Sequence, residues 1–264
     1  MESLRSKAKE YLRQQDWERA ETCYTLLIER NPQEIDLYMQ RQGVFFQQRR
    51  YDQAIQDLET ILDVTEEERD SPRIFYRAEA FALRASYLTY IFSDYEEALQ
   101  SSNRALELFQ KLVEENPTEY AGNLINQYYR HGDILREVGE LKQAKRVLSI
   151  GLEFCIALLK HDLPKNVKNR LENKKREGLM QRGEINEDLQ KWRSAIEDYK
   201  ELGDYLGEYC IGKLFFSKGK IASAKRYLLL ALSRGIEQEE EYTDILEMLY
   251  VLSNFAKKKE EQEN

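Results

Sequence analysis

Two histidines, His131 and His161, three cysteines and 48 acidic residues are the groups in this chain that could do acid–base, nucleophilic or metal chemistry. Their spacing supports none of it. Cys23, Cys155 and Cys210 are far apart and odd in number, with no CxxC and no Cys/His cluster, so neither a disulfide framework nor a zinc site is expected. The phosphate-cradling glycine motifs, HExxH and GxSxG are all missing. The carboxylates read as solvated helix faces. The chain is therefore expected to have no catalytic residue, no metal and no cofactor.

Binding chemistry is better represented. Cations and large apolar side chains recur three or four residues apart, which at ~100° per residue gathers them on one side of a helix. The groups are Arg5 and Lys9, with Arg13 one step on; Met39 and Phe46; Leu83, Tyr87 and Tyr90 beside Arg84; and Tyr129, Asp133 and Arg136 beside Arg130. Glu177, Glu184 and Glu187 make an acidic set further on, followed by Tyr209, Lys213 and Phe216. Arginines could grip acids and tyrosines could receive an apolar anchor. The competing reading of each tyrosine is packing between neighbouring helices. The basic stretch Lys165, Lys168, Arg170, Lys174, Lys175 and Arg176 is the nucleic-acid candidate. It is interrupted by Glu172, an acidic helix follows, and the net charge of −8 repels phosphate, so it reads as solvated.

The elements that must position these groups are helical. The chain has 264 residues, 33% charged and 42% hydrophobic, with four prolines and twelve glycines. Apolar residues recur at three and four, as in Leu106, Phe109 and Val113, without strand-like alternation. The prolines, at positions 32, 72, 117 and 164, punctuate helix ends. The N-terminus lacks an apolar leader region, and runs such as YLLLAL are too short to span a bilayer. With the unpaired cysteines this predicts a cytoplasmic protein.

Six times, a small or polar residue is followed twelve positions later by alanine: Ala8/Ala20, Gln42/Ala54, Ser86/Ala98, Gly132/Ala144, Gly183/Ala195 and Gly212/Ala224. Three residues before each alanine stands a bulky residue: Trp17, Tyr51, Tyr95, Leu141, Trp192 or Ile221. Small residues let paired helices approach to ~8–10 Å, while the bulky one fills the wedge between them. The first unit, Leu4-x-x-Lys7-Ala8-x-x-Tyr11, then Ala20-x-x-x-Tyr24, then Pro32, resembles the tetratricopeptide repeat. The turn strings Asp16–Ala20, Arg50–Ala54, Asp94–Ala98, Gly139–Ala144 and Lys191–Ala195 resemble it too.

The resemblance implies an all-α solenoid, a right-handed superhelix of about six helical hairpins plus a C-terminal capping helix. Units are expected near 1–34, 35–68, 79–112, 125–158, 176–209 and 205–238, the last two overlapping. A capping helix over 239–256 and a charged flexible tail over 257–264 follow. The alanine anchors lie 34, 44, 46, 51 and 29 residues apart. The long intervals predict longer helices or connections, near Glu66–Ser71 and His161–Lys168, and the short one a tight junction near Gly203. Gln42 fits a close crossing poorly, with Gly43 as an alternative frame.

In function the resemblance implies a non-enzymatic adaptor or scaffold that grips a protein or peptide segment in its concave groove. Carried over residue by residue, the groove would contain Arg5, Lys9, Phe46, Arg84, Tyr87, Tyr90, Tyr129, Arg130 and Arg136. The carboxylate clamp of the chaperone-binding members falls on Arg5, Lys9, Gln40, Ala80 and Arg84, where Ala80 leaves one cation missing. A self-assembling subunit and a peptide-sensing switch are the alternatives. The expected partner is another protein or peptide, with no nucleic acid and no membrane; a homo-oligomer is left open.

Overall fold

The computed structural model describes residues 2–67, 70–236 and 239–263. These hold thirteen α-helices, one π turn and no strand. Two compact units divide the chain, the first ending at Lys160.

The first unit contains α1 (Glu2–Arg13), α2 (Trp17–Arg30), α3 (Ile35–Gln47), α4 (Tyr51–Val64), α5 (Ser71–Tyr87) with a π turn at Leu88–Phe92, α6 (Tyr95–Glu115), α7 (Pro117–Glu137) and α8 (Leu141–Leu159). Each packs on the next, and α5 also touches both α3 and α7. The first helices of successive hairpins therefore lie side by side in one layer. The second unit contains α9 (Lys165–Asp188), α10 (Trp192–Leu202), α11 (Tyr205–Ser217), α12 (Ile221–Ser233) and α13 (Glu239–Glu263), again packed in chain order. Each unit is thus an all-α solenoid of stacked hairpins.

Sequence explains where the hairpins turn. All six turns place a residue in the left-handed region two positions before the bulky first residue of the second helix: Gln15, Arg49, Ser93, Gly139, Gln190 and Gly219. That conformation closes a 6→1 bond, as in Asp16 N to Tyr11 O at 2.9 Å and Lys191 N to Asn186 O at 2.7 Å. In the third hairpin, Asp94 N reaches one residue further back, to Leu88 O, because the π turn widens the helix end. Asp16 and Asp94 then accept from the amides of Arg19 and Glu97, capping α2 and α6.

The small-residue frame is a packing frame. Ala8 and the six alanine anchors are fully buried. The glycines opposite them have a different partner from the alanine twelve residues on. A Cβ on Gly132, Gly183 or Gly212 would press on Leu148, Tyr199 or Leu228, each sixteen residues on. Gln42 does occupy its crossing, buried, where its Oε1 accepts from the Tyr87 hydroxyl at 2.7 Å. Nothing approaches the position of a Cβ on Gly43, so the alternative frame has no packing basis.

The long intervals are absorbed mostly by helix. α5 and α7 begin eight residues ahead of positions 79 and 125, while α6 and α7 reach 21 residues and α9 reaches 24. The connection expected over His161–Lys168 is shorter than that, because α9 starts right after Pro164, whose fixed φ suits a helix start. The short interval is a tight junction. Gly203 ends α10 at φ +73°, Asp204 caps α11 by accepting from Leu206 and Gly207 N–H, and a Cβ on Gly207 would run into the Tyr199 carbonyl.

Candidate peptide-binding face

The layer formed by α3, α5 and α7 is the broad helix surface on which the sequence-derived site residues can be placed. Near the C-terminal ends of α3 and α5 it carries an aromatic row. Phe46, 36% exposed, stacks on Tyr87 with ring centroids 4.9 Å apart and meets Tyr51 edge-on at 5.6 Å. Tyr87 itself is buried, and burial pushes its phenol up to about 12. Its role is to anchor α5 to Gln42 of α3 and to back Phe46. Tyr90 emerges from the π turn, 59% exposed, with Asp133, Arg136 and Glu137 of α7 close enough to act on it. Partial burial of the phenol, reinforced by the two carboxylates, raises it to about 12.

Tyr129 lies elsewhere. It is 1% exposed, with its ring edge within van der Waals reach of any Cβ placed on Gly151 of α8. It packs the fourth hairpin, because its position on α7 turns toward α8 and away from the layer's surface.

The cations do not form an open acid-gripping set. Arg5 is ion-paired with Glu34. Arg84 turns toward the second-helix layer, donating to Glu97 and to Ser101 Oγ at 2.7 Å and lying 4.0 Å from Glu59. Arg130 sits 3.9 Å from the Glu79 carboxylate, which also accepts from Asn123 at 3.2 Å. Lys9 is exposed on α1. Arg136 is half-buried beside Tyr90 and has interactions of its own. The structure thus brings Phe46, Tyr87, Tyr90 and Arg136 onto neighbouring helix ends and leaves Arg5, Lys9 and Arg84 apart from them.

His131 is a structural imidazole. It is buried, with Nδ1 2.9 Å from Ser102 Oγ, and burial lowers its pKa. Among the described residues no cluster of His, Cys, Asp or Glu could hold a metal, and no helix is long and apolar enough to cross a membrane.

Two features escaped the reading of the sequence. One is a repeated buried ion pair. Arg41 donates to both Asp57 oxygens at 2.6 and 2.9 Å and to Thr25 at 3.2 Å. Arg182 donates to Asp198 Oδ1 at 2.6 and 3.0 Å while Asn186 donates to the other oxygen at 2.8 Å. Both pairs span sixteen residues, and the shared string Ala-Ile-x-Asp at 54–57 and 195–198 was the available signal. The other is a cavity of about 310 Å³ lined by Pro72, Phe75, Tyr76, Glu119, Tyr120 and Asn123. It lies on the N-terminal extensions of α5 and α7, outside any 34-residue frame.

Comparison with known proteins agrees with this architecture. Residues 9–79 match the tetratricopeptide repeat family model. No curated protein sequence matches the chain significantly. Among solved structures, PilW, a "widely conserved type IV pilus biogenesis factor", is similar at TM-score 0.63 and 14% identity, over 91% of this chain and 96% of that one. The apo form of RapI is similar at 0.62 and 15%, over 95% and 83%. Pseudomonas aeruginosa pilF is similar at 0.58 and 16%, over 93% and 96%. At these identities the likeness is one of fold.

Proposed function

We propose that this chain, an all-α solenoid whose residues 9–79 match the tetratricopeptide repeat family model, is a non-enzymatic adaptor or scaffold that holds a segment of a partner protein against the α3/α5/α7 layer. The observation that carries this reading is the exposed pair Phe46 and Tyr90 at the neighbouring C-terminal ends of α3 and α5. Large aromatics with an apolar body and fixed backing are the side chains that anchor interfaces. Tyr87 supplies the backing, held by Gln42. The repeat array of residues 1–238 is the binding body in this reading. Three free thiols, two of them buried, suit a reducing compartment such as the cytoplasm. The acidic net charge makes protein a better partner than nucleic acid.

Affinity capture from source lysate tests this, with wild type beside the Phe46→Ser/Tyr90→Ser double variant. A protein captured by wild type alone supports the layer as the working surface. Equal capture by both would move the interface elsewhere.

A second reading, a self-assembling subunit, has one observation in its favour. α13 exposes Tyr242, Leu246 and Tyr250 at four-residue spacing, where the last helix of a stack ordinarily presents a polar face. A mass that stays monomeric from micromolar to hundreds of micromolar, measured by sedimentation, removes that reading.

A further inference from the structure

The cavity on the α5 and α7 extensions plays no part in the aromatic row, yet it belongs to the same helix layer. Its walls are largely aromatic. Phe75 is tilted 33° against Tyr120 at 5.8 Å and meets Tyr76 edge-on at 5.9 Å, with Phe109 beneath it at 6.3 Å. Tyr120 is buried and Phe75 is half-buried, so these walls are set by the core of the third and fourth hairpins.

Its charges have one sign. Among the described lining residues Glu119 is the ionisable acid, and it is exposed. Asp36 of α3 adds a second carboxylate at the rim, accepting from the Tyr76 hydroxyl at 3.4 Å. Glu115 adjoins it through Ser71 at 2.6 Å. The N-terminus of α7 points a partial positive charge here, but its first turn is already engaged. Asn116 accepts from Glu119 N–H at 3.3 Å and donates to the Glu119 carboxylate at 2.8 Å. Aromatic faces with a carboxylate at the mouth make a receptor for a cation on an aliphatic stem: the stem covers the rings while the charge meets both the ring quadrupoles and the acid.

We propose that this cavity seats an arginine or lysine side chain of the partner segment, a proposal that rests on the adaptor reading. It reverses the charge expected from the sequence, where Arg5, Lys9 and Arg84 were to grip acids. The two anchor points also set a spacing. Tyr76 and Tyr90 are fourteen residues apart along nearly continuous helix, about 21 Å at 1.5 Å per residue. An extended segment covers that in about six residues at 3.3 Å each. The partner segment therefore carries a basic residue roughly six positions from an apolar one.

The test is a random dodecapeptide library displayed on phage and panned on the full chain. Three proteins are compared: wild type, Glu119→Gln/Asp36→Asn and Phe46→Ser/Tyr90→Ser. Glutamine at 119 keeps the capping geometry of α7, and far-UV circular dichroism checks that all three fold. Wild type should enrich peptides with arginine or lysine about six positions from an apolar residue. Glu119→Gln/Asp36→Asn should still select peptides without that basic preference, and should bind a wild-type-selected peptide about five- to tenfold more weakly. Wild-type selection of peptides with no basic bias, or with an acidic one, overturns the cation site and leaves the adaptor reading standing. Failure of wild type to select any peptide overturns both.

Discussion

Replacing Asp57 with alanine isolates the worth of the buried ion pair that recurs sixteen residues along two hairpins. The Asp57 side chain is 4% exposed and that of Arg41 is 17% exposed, so the substitution leaves a guanidinium with little water. Two charge-assisted bonds are lost, at 2.6 and 2.9 Å. Breaking a buried pair from one side costs about 3–5 kcal/mol. The lower end applies, because Arg41 keeps Thr25 and lies over the rings of Tyr38 and Phe45 at 5.7 and 5.5 Å. We expect about 3 kcal/mol, or a fall in Tm of roughly 6–12 °C for a unit of this size. Scanning calorimetry and urea titration followed by circular dichroism would measure it. The pairwise origin has its own signature: Arg41→Met/Asp57→Ala should recover at least about 1 kcal/mol relative to Asp57→Ala alone, since no charge is then stranded. A loss below about 1 kcal/mol for Asp57→Ala, or strict additivity in the cycle, would refute the reasoning. Asp198→Ala should behave the same way in the second unit, where Arg182 and Asn186 would lose their acceptor.

The crossing glycines should differ in tolerance. Gly212→Ala meets Leu228 at 2.7 Å and should lose about 1–3 kcal/mol of stability by overpacking, whereas Gly132→Ala meets Leu148 at 3.3 Å and should stay near neutral; chemical denaturation separates the two. Arg49→Gly, at φ +59°, should gain about 0.5–1 kcal/mol in the same assay by relieving a left-handed non-glycine turn residue. Because burial lowers the His131 pKa below its unfolded value near 6.5, the unfolded chain binds more protons between the two values. Stability should therefore fall as pH drops below about 6.5, by up to about 1.4 kcal/mol per pH unit, and His131→Gln should flatten that slope in denaturation curves taken from pH 7.5 to 5.

The architecture was legible because it rests on steric exclusion, which a sequence records directly. Alanine at 20, 54, 98, 144, 195 and 224 marks where no larger side chain fits, and Trp17 or Trp192 marks the wedge beside it. What those residues touch was less legible. The frame paired Gly183 with Ala195, yet the side chain pressed against it belongs to Tyr199, one helical turn later. Groove residues were harder still. Helical phase gives a direction to about one residue, and at Arg84 and Tyr129 that margin separates the open layer from the neighbouring helices. Phe46 and Tyr90 are exposed because each sits near the end of its helix, where fewer neighbours can cover it. The cavity by Phe75 and Tyr120 escaped because the extensions that build it lie outside the repeat and carry no periodic signal.

The eight-residue extensions of α5 and α7 grow from one end of their hairpins only. The turn end of each hairpin is fixed by a left-handed residue and a 6→1 bond, one residue longer in the third hairpin, whereas the open end, near Thr65 or Lys160, has no left-handed residue among the described ones. In the first unit, length is thus a free variable at the open ends and nearly constant at the turns. Protein engineers could splice new helical turns, reporter tags or a second recognition element into the open edge without retuning the crossings. The cavity that α5 and α7 already form there is what such an addition looks like when the chain itself has made it.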